Sequence, residues 1–139
     1  MAKPETSFTA GVHKHLPLPS ALHREKMANP YRGGTADYWY SGRRDLWIEW
    51  KFLVVPKRDS TMIDLVTKGD IISPLQRQWL NDRYSEGRNV WVIVGCKAGG
   101  VLFQHQAWEI PLSAETFRAL VEPRKSLADA IAQFTSAQK

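Results

Sequence analysis

The sequence predicts an α/β fold, with a mixed central sheet flanked by helices and further helices toward the C-terminal end. Three observations point there. Two runs, Asp45 to Val55 and Asn89 to Cys96, are apolar almost throughout, which is the pattern of strands buried on both faces. Between them, Ser73-Pro74-Leu75-Gln76 reads as a helix start. Serine is the N-cap, proline suits the first turn and glutamine at the third helical position can close a capping box. Leu75, Trp79 and Leu80 continue this helix as an apolar stripe, and Gly87 stops it. Past Pro111, Ser113 and Ser126 open two more helices, Ala114 to Val121 and Leu127 to Phe134, joined at Pro123.

Length and composition bound the function. At 139 residues the chain fits one domain spanning 1–139, with a core over about 31–106 and a C-terminal helical extension over about 111–139. A hydrophobic content of 43% argues for a packed core, and a formal charge of +5 suits a polyanionic partner, with nucleic acid leading. A single cysteine, Cys96, excludes an internal disulfide and a cysteine-based zinc cluster. No apolar run has membrane-spanning length and the N-terminus lacks the apolar stretch of a signal peptide. The expectation is a cytoplasmic protein without a membrane partner.

In chain order, Phe8, Val12 and Leu16 recur at helical spacing, so a first helix starts near Glu5. Leu16-Pro17-Leu18-Pro19 breaks it, and Ser20 to Met27 reads as a second helical piece. His13, His15 and His23 lack the cysteine or carboxylate company of a zinc site and read as surface groups near a nucleic acid. Asn29 to Asp37 is a loop by its glycine and proline content. Its pair Gly33-Gly34 has two readings, an ordinary tight turn or a close backbone approach to a ligand phosphate. Pro56 to Ile72 is either a mobile loop or holds a short strand over Thr61 to Val66. Its Lys57, Arg58 and Lys68, like Arg32 upstream, suit phosphate contacts. Asn89 to Cys96 turns at Gly99-Gly100 into a further strand, Val101 to His105.

The unusual feature is charge inside the first apolar strand. Glu49 and Lys51 fall on one face of it, roughly 6 to 7 Å apart, while Ile48, Trp50 and Phe52 face the other way. Buried charges cost several kcal/mol each unless compensated, so the pair is either a structural ion pair or part of a functional site. Asp37 bears on the choice. It heads another strand-like stretch, Asp37-Tyr38-Trp39-Tyr40, and the turn at Ser41 to Arg44 would return the chain as an antiparallel hairpin that brings Asp37 beside Glu49 or Lys51. Asp45 shares their face at the far end of the strand and reads as a supporting or surface group.

With Asp37, then Glu49-x-Lys51, then the Ser-Pro-x-Gln helix start, the stretch from about Tyr31 to Gly95 resembles the PD-(D/E)XK nuclease superfamily. Within it, the glycine approach resembles the VRR-Nuc branch and phage-type Holliday junction resolving endonucleases; Ala36 stands where the motif has its proline. The resemblance implies a restriction-endonuclease-like αβββαβ core and a Mg2+ ion, with Mn2+ as substitute, held by Asp37, Glu49 and the backbone carbonyl of Trp50. It also implies an attacking water oriented by Lys51, a further acid on the first helix, for which Glu5 and Glu25 are the candidates, and a glutamine aimed at the site. Gln76 fits that last role, and capping is its competing role. The function implied is a metal-dependent, homodimeric endodeoxyribonuclease acting on branched DNA such as Holliday junctions. The alternatives are the same chemistry on flaps, single strands or generic duplex, or a DNA-binding relative without turnover.

Overall fold

The computed structural model describes residues 3–27, 34–67 and 71–137. The expected contacts of Arg32, Gly33 and Lys68 lie outside the described residues. Elements follow in the order α1 (Pro4–His13), β1 (His23–Lys26), β2 (Tyr38–Ser41), β3 (Asp45–Phe52), β4 (Met62–Ile63), α2 (Pro74–Ser85), β5 (Val90–Cys96) and β6 (Gly99–Gln104). A short 3-10 turn, Ala107–Glu109, leads to β7 (Leu112–Ser113), α3 (Ala114–Leu120) and α4 (Arg124–Ser136).

The central sheet has the order β1-β2-β3-β5-β6. β1, β2 and β3 form an antiparallel meander, β3 and β5 are parallel, and β5 and β6 are antiparallel. The sheet is therefore mixed, as expected. Its parallel pair needs a crossover, which α2 supplies. Alternation along β3 and β5 divides the core. Leu46, Ile48, Trp50, Trp91 and Ile93 pack with Phe8 and Val12 of α1 and Leu127, Ala128 and Ile131 of α4. Val90, Val92 and Val94 pack on the opposite face with Leu80 of α2 and with Ala114 and Phe117 of α3. Glu49 and Lys51 share the α2 face by parity with Trp47.

Two expectations are corrected and an open one is narrowed. Ser20 to Met27 is not helical, because His23–Lys26 pairs with Tyr38–Ser41 as the edge strand. Its charged residues suit a sheet edge, where they block pairing with another chain. The sheet accordingly begins at His23, ahead of the expected core. The last helix starts at Arg124 with Pro123 as N-cap residue rather than at Ser126, since proline fits a helix start as well as a break. Thr61 to Val66 yields only the two-residue β4, which pairs with β7.

His13 is a further correction, because it is half-buried rather than a surface group. Its Nε2 lies 2.7 Å from the Tyr40 hydroxyl, and Trp50 Nε1 donates to that same oxygen at 3.0 Å. Burial first, then the nearby Arg24 charge, lowers its pKa to about 4. An unfolded histidine titrates near 6.5, so between the two values the unfolded chain binds the extra proton and stability rises with pH. Allowing for the solvent that still reaches the ring, about 1 to 2 kcal/mol should be lost as pH falls from 6.5 to 4. Urea denaturation at several pH values checks this, and His13→Gln should flatten that part of the profile.

Gly34 has φ 93°, and a Cβ there would stand 2.4 Å from the Leu75 carbonyl oxygen. The glycine thus lets the loop before β2 dock on the first turn of α2, a structural reason for the residue. Gly34→Ala should cost about 2 kcal/mol or more in denaturant unfolding.

Candidate active site

β2 begins at Tyr38, paired with Ile48, so Asp37 sits just outside the ladder, level with Glu49. Trp47 and Leu53 donate their backbone N–H groups to carbonyls on the β5 side, at Asn89 and Gly95. The intervening Trp50 therefore turns its backbone polar groups toward the side that β2 has left open. Its N–H is taken by Asp37 Oδ2 at 2.9 Å. A β2 that began two residues earlier would occupy that edge with ladder bonds from Ala36 to Trp50, so the place where β2 begins is what makes room for a carboxylate.

Glu49 is almost wholly enclosed, with its side chain 1% exposed, and Lys51 reaches it with Nζ 3.2 Å from Oε2. Gln76 Nε2 donates to the same Oε2 at 3.1 Å. The other carboxylate oxygen, Oε1, is buried without a hydrogen-bond partner among the described residues. Burial is the first cause that pushes the Glu49 carboxyl up, to about 9, and the Asp37 charge is the second. Together they outweigh the Lys51 ammonium. Asp37 is thus close enough for its charge to act on Glu49. Two close carboxylates, one with an orphaned oxygen, call for a shared proton or a cation.

Gln76 does both jobs that sequence reasoning treated as competing. Its amide oxygen accepts from the Ser73 N–H at 3.0 Å and its backbone N–H donates to Ser73 Oγ at 3.2 Å, closing the capping box. The NH2 end of the same amide remains free to hold Glu49. The cap thereby fixes the rotamer of the side chain that orients the carboxylate.

Glu5, in the first turn of α1, lines a cavity of about 350 Å³ together with Asp37, Lys3, Lys26 and Trp50. Burial first and the Asp37 charge second raise its carboxyl, against the lysines Lys51, Lys3 and Lys26. The structure therefore brings Glu5 toward the site. It does not bring Glu25, which is exposed on β1 and pairs with His23 at 3.1 Å. Asp45 is exposed at the start of β3, away from the site. Lys57 and Arg58 are exposed just beyond the C-terminal end of β3, next to Asp59, whose carbonyl accepts from the Glu115 N–H at the start of α3. Lys3 and Lys26 were missed by sequence reasoning. Reading His23-Arg24-Glu25-Lys26 as a strand, with Arg24 and Lys26 on one face, would have found the second of them.

The fold is similar to that of Hjc, a Holliday junction resolvase from the archaeal hyperthermophile Archaeoglobus fulgidus. The TM-score is 0.51 and the identity 16%, over 89% of this chain and 99% of that one. Such a likeness speaks for the fold. No family model and no curated protein sequence matches the chain.

Among the described residues no three His, Cys, Asp or Glu side chains cluster to hold a metal by themselves. The set on offer is instead two carboxylates and a backbone carbonyl, all hard oxygen donors of the kind magnesium takes while keeping several of its waters. The orphaned, buried Glu49 oxygen beside Asp37 fits such an ion.

Proposed function

We propose that the chain is a metal-dependent DNA endonuclease of the PD-(D/E)XK type, VRR-Nuc-like, that acts as a homodimer on branched DNA such as Holliday junctions. The observation that carries this reading is the meeting of Asp37, Glu49 and Lys51 at the open edge of β3, where an apolar sheet would otherwise exclude charge. The resolvase-like fold supports it, and the positive net charge suits a phosphate backbone.

In this reading Asp37, Glu49 and the Trp50 carbonyl hold a Mg2+ ion, for which Mn2+ can substitute. When bound, the ion supplies charge neutralisation and an acidified water. Lys51 orients that water and stabilises negative charge developing on the phosphoryl oxygens. Gln76 keeps the Glu49 carboxylate turned toward the site. Glu5 places a further acid in the cavity that Asp37 shares, while Lys57 and Arg58, with Arg32 and Lys68, position the backbone of the substrate.

The test is cleavage of a four-way junction, a flap, a nicked duplex and an intact duplex by the purified full chain, in Mg2+ and in chelator. Branched substrates should be cut, and only with metal. Preferential cutting of intact duplex would move the substrate class, and inertness toward every substrate with both Mg2+ and Mn2+ would overturn the assignment. Sedimentation of the same sample should give the mass of two chains.

A further inference from the structure

The six tryptophans fall into two groups. Trp50, Trp91 and Trp108 are buried in the core. Trp39, Trp47 and Trp79 are only partly buried and form one cluster, in which Trp39 and Trp47 lie 6.1 Å apart with ring planes 31° from parallel. Trp79 meets the edge of Trp47 at 5.3 Å. The first two are cross-strand partners on β2 and β3, and α2 backs them, so their orientation is set before any ligand arrives.

Trp39 and Trp47 line a groove of about 620 Å³ between the β2–β3 turn, the start of β5 and the last turn of α2. Four arginines and two acids line it. Arg83 is paired with Glu86 at 2.9 Å, and the Arg44 guanidinium lies 3.9 Å above the Phe134 ring. Arg43 and Arg88 are exposed and make no ion pair among the described residues. The surplus of positive charge thus sits on two uncommitted guanidinium groups that flank a preset indole pair. Arginine that can reach phosphate, beside aromatic faces that any base can stack on, is the chemistry of single-stranded nucleic acid binding. A duplex keeps its bases stacked on each other and has no use for indole faces.

The groove shares the α2 face with the candidate active site. Gln76 and Arg83 are seven residues apart on one helix, roughly 10 Å at the helical rise, which is about three stacked nucleotide steps. We infer that this groove holds unpaired nucleotides of a branched DNA whose scissile phosphate lies at Glu49 and Lys51, with bases on Trp39 and Trp47 and phosphates on Arg43 and Arg88. The inference rests on the nuclease reading and adds to it a preference, among the branched substrates, for those that carry a single-stranded arm, as in splayed or flap structures.

The test measures binding of a short labelled oligothymidylate and of a blunt hairpin duplex to the full chain by fluorescence anisotropy, in chelator so that no cleavage occurs. The wild type should prefer the oligothymidylate, with quenching of tryptophan emission. Trp39→Ala should weaken that binding roughly tenfold, Trp39→Phe should restore most of it, and Arg43→Glu with Arg88→Glu should weaken it at least tenfold. Unchanged affinity in the arginine pair, whose exposed side chains can be replaced without disturbing the fold, would overturn the inference. So would loss of self-association in that variant with oligothymidylate binding intact, since the groove would then be a contact between two copies of the chain. Groove-dependent binding without cleavage of any DNA in Mg2+ or Mn2+ would sink the nuclease reading and leave the groove standing. Cleavage with groove-independent binding would do the reverse.

Discussion

Asp37→Asn, Glu49→Gln and Lys51→Ala should each lower metal-dependent DNA cleavage by about a thousandfold or more, while DNA binding in chelator stays within about threefold of wild type. The first two substitutions keep the shape of the side chain and take away its capacity to become a carboxylate, and the third takes away the ammonium. Asparagine keeps an oxygen that can accept from the Trp50 N–H as Asp37 now does at 2.9 Å. Glutamine keeps an oxygen that can accept from Gln76 Nε2. Loss of the Lys51 ammonium does not strand a buried anion, because Glu49 holds its proton near neutral pH once its carboxyl is pushed up to about 9. The fold should therefore survive all three, and circular dichroism and melting curves establish that before rates are compared. Residues that act as one unit are not additive. A double variant such as Asp37→Asn with Glu49→Gln should accordingly be no slower than the poorer single one. If any single variant cleaves at a wild-type rate, the site has been placed on the wrong residues.

How much of this was legible in the sequence depended on whether a residue broke a local rule. Glu49 and Lys51 stood out because charge sits badly in a strand apolar on both faces, and the structure encloses Glu49 as that conflict requires. Asp37 followed from hairpin geometry, since the turn at Ser41 to Arg44 sets the register that puts it level with Glu49. The helix at Ser73 was legible from its cap, yet the double use of Gln76 was not, because only coordinates show the two ends of one amide serving two partners. β1 broke no rule that sequence could register. Four polar residues without apolar alternation carry no period to read, and an edge strand owes its existence to the neighbour it pairs with. That same miss hid Lys26 and left Glu5 and Glu25 indistinguishable, although one faces the cavity and the other pairs with His23. The tryptophan groove was invisible for the opposite reason. Trp39 and Trp47 look like ordinary strand residues until the packing shows which indoles the core leaves uncovered.

In chelator, Glu49→Gln should be more stable than wild type above pH 7, by about 2 kcal/mol, or about 5 °C in Tm. The folded chain holds the Glu49 proton up to about 9, whereas the unfolded chain releases it near the ordinary value of 4.5. Between those values the folded state binds the extra proton, so this group's contribution is fully present below 4.5 and is lost as pH rises through 9. Glutamine has no proton to lose and its profile over this window should be flat. The two proteins should thus melt together at pH 5 and separate by pH 8. Adding Mg2+ should reverse the order at pH 8. A hard cation needs Glu49 as the carboxylate, so its binding is accompanied by proton release and strengthens with pH. Only the wild type would then gain the stabilisation that follows from a ligand taken up by the folded state alone. Equal Mg2+ shifts in the two proteins would mean the ion binds elsewhere, and a wild-type profile as flat as the variant's would mean that Glu49 is charged in the folded protein. The destabilisation is what the site requires of the fold. A carboxylate kept in apolar surroundings beside another carboxylate weakens the empty protein so that it can hold an ion, and a sheet this thoroughly covered by α1, α4, α2 and α3 can sustain that loss.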